Sequence, residues 1–152
     1  MSKTQQLINF RPMSMDDVNA VMQVEIKVYP FPWTKGILSD CLRVGYDCWV
    51  ATENEKIIGH GVLSVAAGES HLLNLAVEQE YQGQGIGRKL LAHLMDIARI
   101  KSADMILLEV RPSNKAAIHI YESTGFNEIG CRKAYYPAPK GKEDALLFAC
   151  QL

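Results

Sequence analysis

The sequence predicts an α/β sandwich built around a mixed, mostly antiparallel sheet, and three observations carry that prediction. Three strand-like segments follow one another between residues 46 and 77 with only short turns between them. A strongly amphipathic stretch begins at Ile86, with Leu90, Leu91, Leu94, Ile97 and Ala98 at a 3.6-residue period. A short apolar run, Met105 to Val110, then follows that helix, and a strand reached through a helical crossover is a parallel one.

Taken in order, Leu7 to Arg11 reads as a first strand. Ser14-Met15-Asp16-Asp17 resembles a capping box with Asp in the acidic position, and the helix it starts should run to about Val28. Its apolar set is Met15, Val18, Val21, Met22 and Ile26, and Pro30 and Pro32 forbid continuation. Thr34 can cap a second helix through Ile37, Leu38, Cys41 and Leu42, ending near Gly45.

Strands are expected over Tyr46 to Thr52, Ile57 to Ala66 and His71 to Val77, joined by turns at 53–55 and 67–69. Met105 to Val110, nearly all apolar, reads as a strand covered on both faces, and Asn114 to Ser123 as a helix ended by Gly125. Two strands, Asn127 to Lys133 and Ala145 to Gln151, close the chain around an irregular stretch at 134–143. The predicted order is βααβββαβαββ.

With 152 residues and 48% of them hydrophobic, the chain is expected to form one domain that folds without disulfides or a structural metal. Sixteen basic residues against seventeen acidic ones give a net charge of −1, which argues against binding nucleic acid through phosphate neutralisation. Cys41, Cys48, Cys131 and Cys150 form no Cys-x-x-Cys pair and, with the four histidines, no zinc spacing, so reduced, mostly packed thiols and no metal are expected. Neither a signal-peptide run nor about 18 consecutive apolar residues occurs, so a cytoplasmic protein with no membrane contact is expected. The monomer is the favoured state.

Gln82-Gly83-Gln84-Gly85-Ile86-Gly87-Arg88 lies between a predicted strand and the clearest helix. Backbone N–H groups at a helix start are unpaired, glycine lets an anion approach them, and the helix dipole adds about half a positive charge there. A glycine turn that merely joins strand to helix explains the same residues. A dinucleotide loop would need glycine at Arg88, and a phosphate loop of the Gly-Lys-Ser/Thr type is absent.

The segment Gln82 to Gly87 resembles the acetyl-CoA loop Gln/Arg-x-x-Gly-x-Gly/Ala of the GCN5-related N-acetyltransferases (GNAT), and Asn114-x-x-Ala117-x-x-x-Tyr121-x-x-x-Gly125-Phe126 resembles a later signature of that family. The resemblance implies acetyl-CoA as co-substrate. Leu75, Ala76 and Val77 would pair their backbone with the pantetheine arm, and amides of Gly83, Gln84, Gly85, Ile86, Gly87 and Arg88 would take the pyrophosphate. Asn114 matches a cofactor-binding position, although a helix N-cap suits it equally.

Phe31-Pro32-Trp33, Leu108-Glu109-Val110-Arg111 and Tyr135-Tyr136-Pro137 resemble the RimI type within that superfamily, which acetylates the terminal alanine of a small-subunit ribosomal protein. The resemblance runs from about residue 8 to about 150. It implies Glu109 as general base, Tyr121 as general acid to the departing thiolate, and the amino-terminal tail of that ribosomal protein as partner. An α-amine, with a pKa of about 7.7–8.0 against about 10.4 for lysine, needs little deprotonation at neutral pH, so a carboxylate working through water can suffice.

Read without the family, Glu109 is a strand-end carboxylate within reach of Arg111, and Tyr121 a half-buried aromatic. The oxyanion is assigned to a backbone N–H near Val77. Phe31, Trp33, Tyr135 and Tyr136 would flank the acceptor channel from two proline-containing loops, or else pack those loops on the core. Glu143 and Asp144 could attract basic residues of an acceptor tail, but read first as a solvated turn. A small amine or lysine acceptor, or a non-catalytic acetyl-CoA-binding module, remain the alternatives.

Overall fold

The computed structural model describes residues 7–152. Their order is β1 (Ile8–Pro12), α1 (Val18–Val28), α2 (Lys35–Arg43), β2 (Asp47–Glu53), β3 (Lys56–Ala66), β4 (Glu69–Val77), α3 (Ile86–Ile100), β5 (Met105–Val110), α4 (Lys115–Thr124), β6 (Asn127–Pro137) and β7 (Lys142–Gln151), with single 3-10 turns at Met15–Asp17 and Gln79–Tyr81. This is the order expected from the sequence. The strands form a seven-stranded mixed sheet, β1-β2-β3-β4-β5-β7-β6. The chain divides into two compact units, one through Val62 together with Asn74–Leu91, the other Leu63–Leu73 together with Ala92–Leu152.

In the first unit β1 pairs antiparallel with β2, from Ile8↔Glu53 to Pro12↔Trp49. Alternation along β2 places Cys48 and Val50 in a core with Val18, Val21, Leu38, Cys41 and Val62, while Ala51 joins Ile58, Val77 and Ile86 in another. Each large aliphatic side chain so buried contributes about 1.5–3 kcal/mol. Of the predicted α1 stripe, Val18 and Val21 are buried and Met22 packs against their core, but Ile26 is 57% exposed and Met15 49%, whereas Val24 and Glu25 are buried. Residues 25 and 26 lie about 100° apart on the helix, and the carboxylate finds enough donors inside to take the inner position.

Asn54 and Glu55 take positive φ in the β2–β3 turn, as do Ala67 and Gly68 between β3 and β4. These are the short hairpins expected there. Gly59 of β3 is required by close approach, since a Cβ would stand 2.8 Å from the Ala76 carbonyl oxygen.

In the second unit β4 and β5 run parallel from Glu69↔Met105 to Leu72↔Leu108, and β5 pairs antiparallel with β7 from Met105↔Gln151 to Val110↔Leu146. The expectation that β5 is covered on both faces is corrected. Ile106, Leu108 and Val110 are buried, but Met105 is exposed and Leu107 and Glu109 are only half-buried. Alternation therefore puts Glu109 on the open face.

β6 and β7 reach further than expected, so the irregular stretch shrinks to the turn at 138–141, and Tyr135 and Tyr136 lie on a strand, not a loop. Arg132 pairs with Ala145 and Tyr136 with Glu143, so β6 carries two extra residues in between. This bulge contains Ala134 at φ +49°, and Asp144 fills it by accepting the Ala134 N–H at 2.9 Å. A bulge on the last strand of a sheet turns its edge away from further pairing. No helix among the described residues is long and apolar enough to cross a membrane.

Candidate active site

The candidate residues fall in both units. In the first, β4 ends at Val77, whose carbonyl accepts the Gln82 Nε2–H at 2.9 Å. The Leu75 carbonyl accepts the Tyr29 hydroxyl, and the Glu78 N–H is held by the Ile58 carbonyl at 2.7 Å. Gly83 and Gly85 have φ of +78° and +83°, and a Cβ at either would meet nothing within 4 Å. These glycines are there for backbone conformation and an open approach, not for packing.

Ile86 begins α3 and is buried beside Ala51, Ile58 and Val77, so its side chain seats the helix while its N–H stays with the first turn. The Lys89 N–H already bonds Gly85 O at 3.0 Å, which leaves the preceding amides as those a helix start cannot pair internally. Gly87 and Arg88 lie in that first turn, with Arg88 exposed. An accessible, positive-ended loop of this kind fits a pyrophosphate.

Phe31 and Trp33 lie between α1 and α2. Phe31 is 40% exposed, while Trp33 packs against the core that contains Val21 and Leu38. Phe31 is the more exposed of the two, and Trp33 is only partly buried. Thr34 caps α2 as expected, accepting the Ile37 N–H at 3.2 Å.

In the second unit Glu109 lies close to β6. Arg132 Nε stands 2.9 Å from Glu109 Oε2 in an ion pair, without the alignment of a hydrogen bond, and the Tyr135 hydroxyl lies 3.4 Å from Oε1. Arg111, which sequence spacing suggested as the partner of Glu109, instead binds Pro137 O at 2.6 Å and Glu143 Oε1 at 3.4 Å. Its guanidinium also lies 4.4 Å from the centre of the Tyr136 ring. Residues two apart share a strand face, yet the longer reach of Arg111 carries it to the β6–β7 end.

Glu143 is no solvated turn residue, for it also accepts the Ser113 N–H at 2.8 Å and the Ser113 hydroxyl at 3.0 Å. Tyr135 and Tyr136 meet edge to face at 4.9 Å. Burial, with Glu109 and Tyr135 adding to it, pushes the Tyr136 phenol up to about 12, so it stays protonated.

Asn114 caps α4, its Oδ1 accepting the Ala117 N–H at 3.3 Å, and Gly125 at φ +109° ends that helix. Tyr121 is buried on α4, its ring 5.6 Å from that of Phe126. Burial, and secondarily Tyr136, raises its phenol well above the ordinary tyrosine value. Gln82, Tyr29 and Arg132 are the contributors that the sequence reading missed. Gln82 was visible within the glycine motif, but nothing local marks a contact between Tyr29 and Leu75, or an ion pair between Arg132 and Glu109 across β7.

The model of the acetyltransferase (GNAT) family matches residues 18–126 of the chain. It belongs to that family. The [ribosomal protein bS18]-alanine N-acetyltransferase of Escherichia coli (strain K12) is 39% identical to this acetyltransferase over 133 residues, covering 88% of this chain and 90% of the relative. The enzyme of the same name from Haemophilus influenzae is 36% identical over 137 residues, covering 90% and 93%. The crystal structure of the ribosomal-protein-S18-alanine N-acetyltransferase from Escherichia coli superposes with a TM-score of 0.89 at 36% identity, covering 95% of this chain and 94% of that one.

Proposed function

We propose that this acetyltransferase moves an acetyl group from acetyl-CoA to the amino-terminal alanine of a small-subunit ribosomal protein, as its relatives' names describe for bS18. The observation that carries the reading is the 39% identity to such an enzyme over almost the whole of both chains.

Glu109 accepts the proton of the α-ammonium through water, and the freed amine attacks the thioester carbon. As the C–N bond forms and the C–S bond breaks, Tyr121 gives its proton to the sulfur, and the second proton shed by the nitrogen as the amide forms returns through water to the tyrosinate. A solvent-exposed phenol and a thiol differ by about 1.5 pKa units, and burial of Tyr121 widens that gap. The transfer is therefore uphill unless it accompanies C–S cleavage, so Tyr121 acts by hydrogen-bonding the sulfur and yielding its proton as charge develops there.

Amides of Gly83 to Arg88 hold the pyrophosphate, Leu75 to Val77 offer backbone to the pantetheine arm, and an N–H near Val77 steadies the oxygen. Asn114 adds a cofactor contact from its cap. Phe31, Trp33, Tyr135 and Tyr136 line the path of the acceptor. The supporting chemistry is that an α-amine asks little of its base, which suits a lone carboxylate.

The test offers acetyl-CoA with the amino-terminal peptide of the ribosomal protein beside a peptide whose only amine is a lysine side chain, read by mass spectrometry. Acetylation of the α-amine is the expected product. Acetylation of the lysine control alone would overturn the acceptor assignment.

A further inference from the structure

Glu25 lies in α1 with its side chain 4% exposed, and no catalytic step above uses it. Three donors converge on its carboxylate: His60 Nε2 at 2.9 Å and Asn74 Nδ2 at 3.0 Å on Oε1, and the backbone N–H of Trp33 at 3.0 Å on Oε2. The donors come from β3, β4 and the turn between α1 and α2. Burial alone would push this carboxyl up, but the three hydrogen bonds outweigh it and hold it below the usual carboxylate range.

Such a cluster is a costly way to obtain stability. His60 Nδ1 and Asn74 Oδ1 are buried without partners, and an apolar replacement would avoid both penalties. What the cluster provides is geometry. The turn is tied at both ends to consecutive residues of β4: the Tyr29 hydroxyl bonds the Leu75 carbonyl, and the Trp33 N–H reaches Asn74 through Glu25. Phe31, the exposed ring, stands midway between the ties.

We propose that Glu25, oriented by His60, is a positioning residue that pins the Phe31–Pro32–Trp33 turn to β4 and so sets the affinity for the acceptor peptide, not for acetyl-CoA. The acceptor half of this rests on the function proposed above. The pinning itself does not, and it is read separately.

The variants are Glu25→Gln, His60→Leu and His60→Gln, the last because a glutamine amide nitrogen can take the place of imidazole Nε2. Glu25→Gln and His60→Leu are expected to raise the peptide KM about tenfold, the scale of one lost charge-assisted hydrogen bond, with the acetyl-CoA KM changed less than about twofold. His60→Gln should remain near the wild-type value. Hydrogen exchange should show the Trp33 amide opening faster in Glu25→Gln while the Val50 and Leu91 amides are unchanged.

An unchanged Trp33 amide, or equal rises in both KM values, would overturn the proposal. A wild-type protein that acetylates neither peptide would remove the proposed function and the acceptor half with it, while the exchange measurement still decides the pinning. Should Glu25→Gln fail to fold, His60→Leu, which keeps the carboxylate, carries both readouts.

Discussion

Arg132 Nε stands 2.9 Å from Glu109 Oε2, and the same guanidinium lies 5.5 Å from the centre of the Tyr135 ring. The proposed base is thus covered by a cation from a side chain 59% exposed. A pair so open to solvent is worth about 0–1 kcal/mol. Glu109→Gln should therefore move the thermal midpoint by less than about 4 °C, while losing the proton acceptor lowers turnover by about 100-fold or more. Paired melting curves and steady-state rates check this. Wild-type turnover in Glu109→Gln would remove the residue from the mechanism.

Tyr121 separates packing from chemistry even more cleanly. Its ring sits against Phe126, whereas no hydrogen bond to its hydroxyl occurs among the described residues. Tyr121→Phe should keep the melting temperature and lose turnover about 100-fold, whereas Tyr121→Ala should cost about 3–5 kcal/mol of stability. Because burial raises the phenol above its unfolded value of about 10, the folded state holds the proton longer than the unfolded one. Stability is then full below about pH 10 and falls as pH rises beyond it, and Tyr121→Phe should soften that fall.

Gly59 and Gly85 are required for different reasons, and their variants should differ accordingly. Alanine at 59 would meet the Ala76 carbonyl oxygen at 2.8 Å and Val77 Cα at 3.5 Å, backbone atoms that move only with β4. Gly59→Ala should cost about 1–3 kcal/mol and raise the KM for acetyl-CoA by displacing the strand end. Gly85→Ala meets no atom but is strained at φ +83°, by about 1–2 kcal/mol. Asparagine tolerates that conformation better, so Gly85→Asn should retain more acetyl-CoA binding than Gly85→Ala. The reverse order would show that open space, not backbone strain, sets the requirement.

How much could be read from the sequence follows the range of the interaction concerned. Thr34 and Asn114 as caps, Gly125 as a helix end and the positive-φ turns depend on neighbours three or four residues away, and each appears as expected. The inversion of Glu25 and Ile26 was hidden because both choices satisfy a helical period, and only donors from β3 and β4 decide between them. Arg132 reaches Glu109 across β7 after a register shift between Glu128 and Gly130, and Arg111 reaches Glu143 on β7 itself. Register of that kind belongs to strand pairing, which short-range patterns do not encode.

Asp17 offers a test of one expectation by pH alone. The acidic residue of the predicted capping box accepts the Ser14 N–H at 2.8 Å, but it also takes both Arg11 guanidinium nitrogens, at 2.8 and 2.9 Å. Those Arg11 hydrogen bonds, against the opposing effect of burial and with help from Ser14, lower its carboxyl to about 2 from an ordinary 3.8. The folded value lies below the unfolded one, so the stabilisation is complete above about pH 4 and is lost as pH falls toward 2. Asp17→Asn should flatten that part of the acid unfolding curve and lower stability at pH 7, while leaving little difference from wild type at pH 2. An unchanged acid slope would mean that other carboxylates carry the transition and that Arg11 and Asp17 hold no more than the entry to α1.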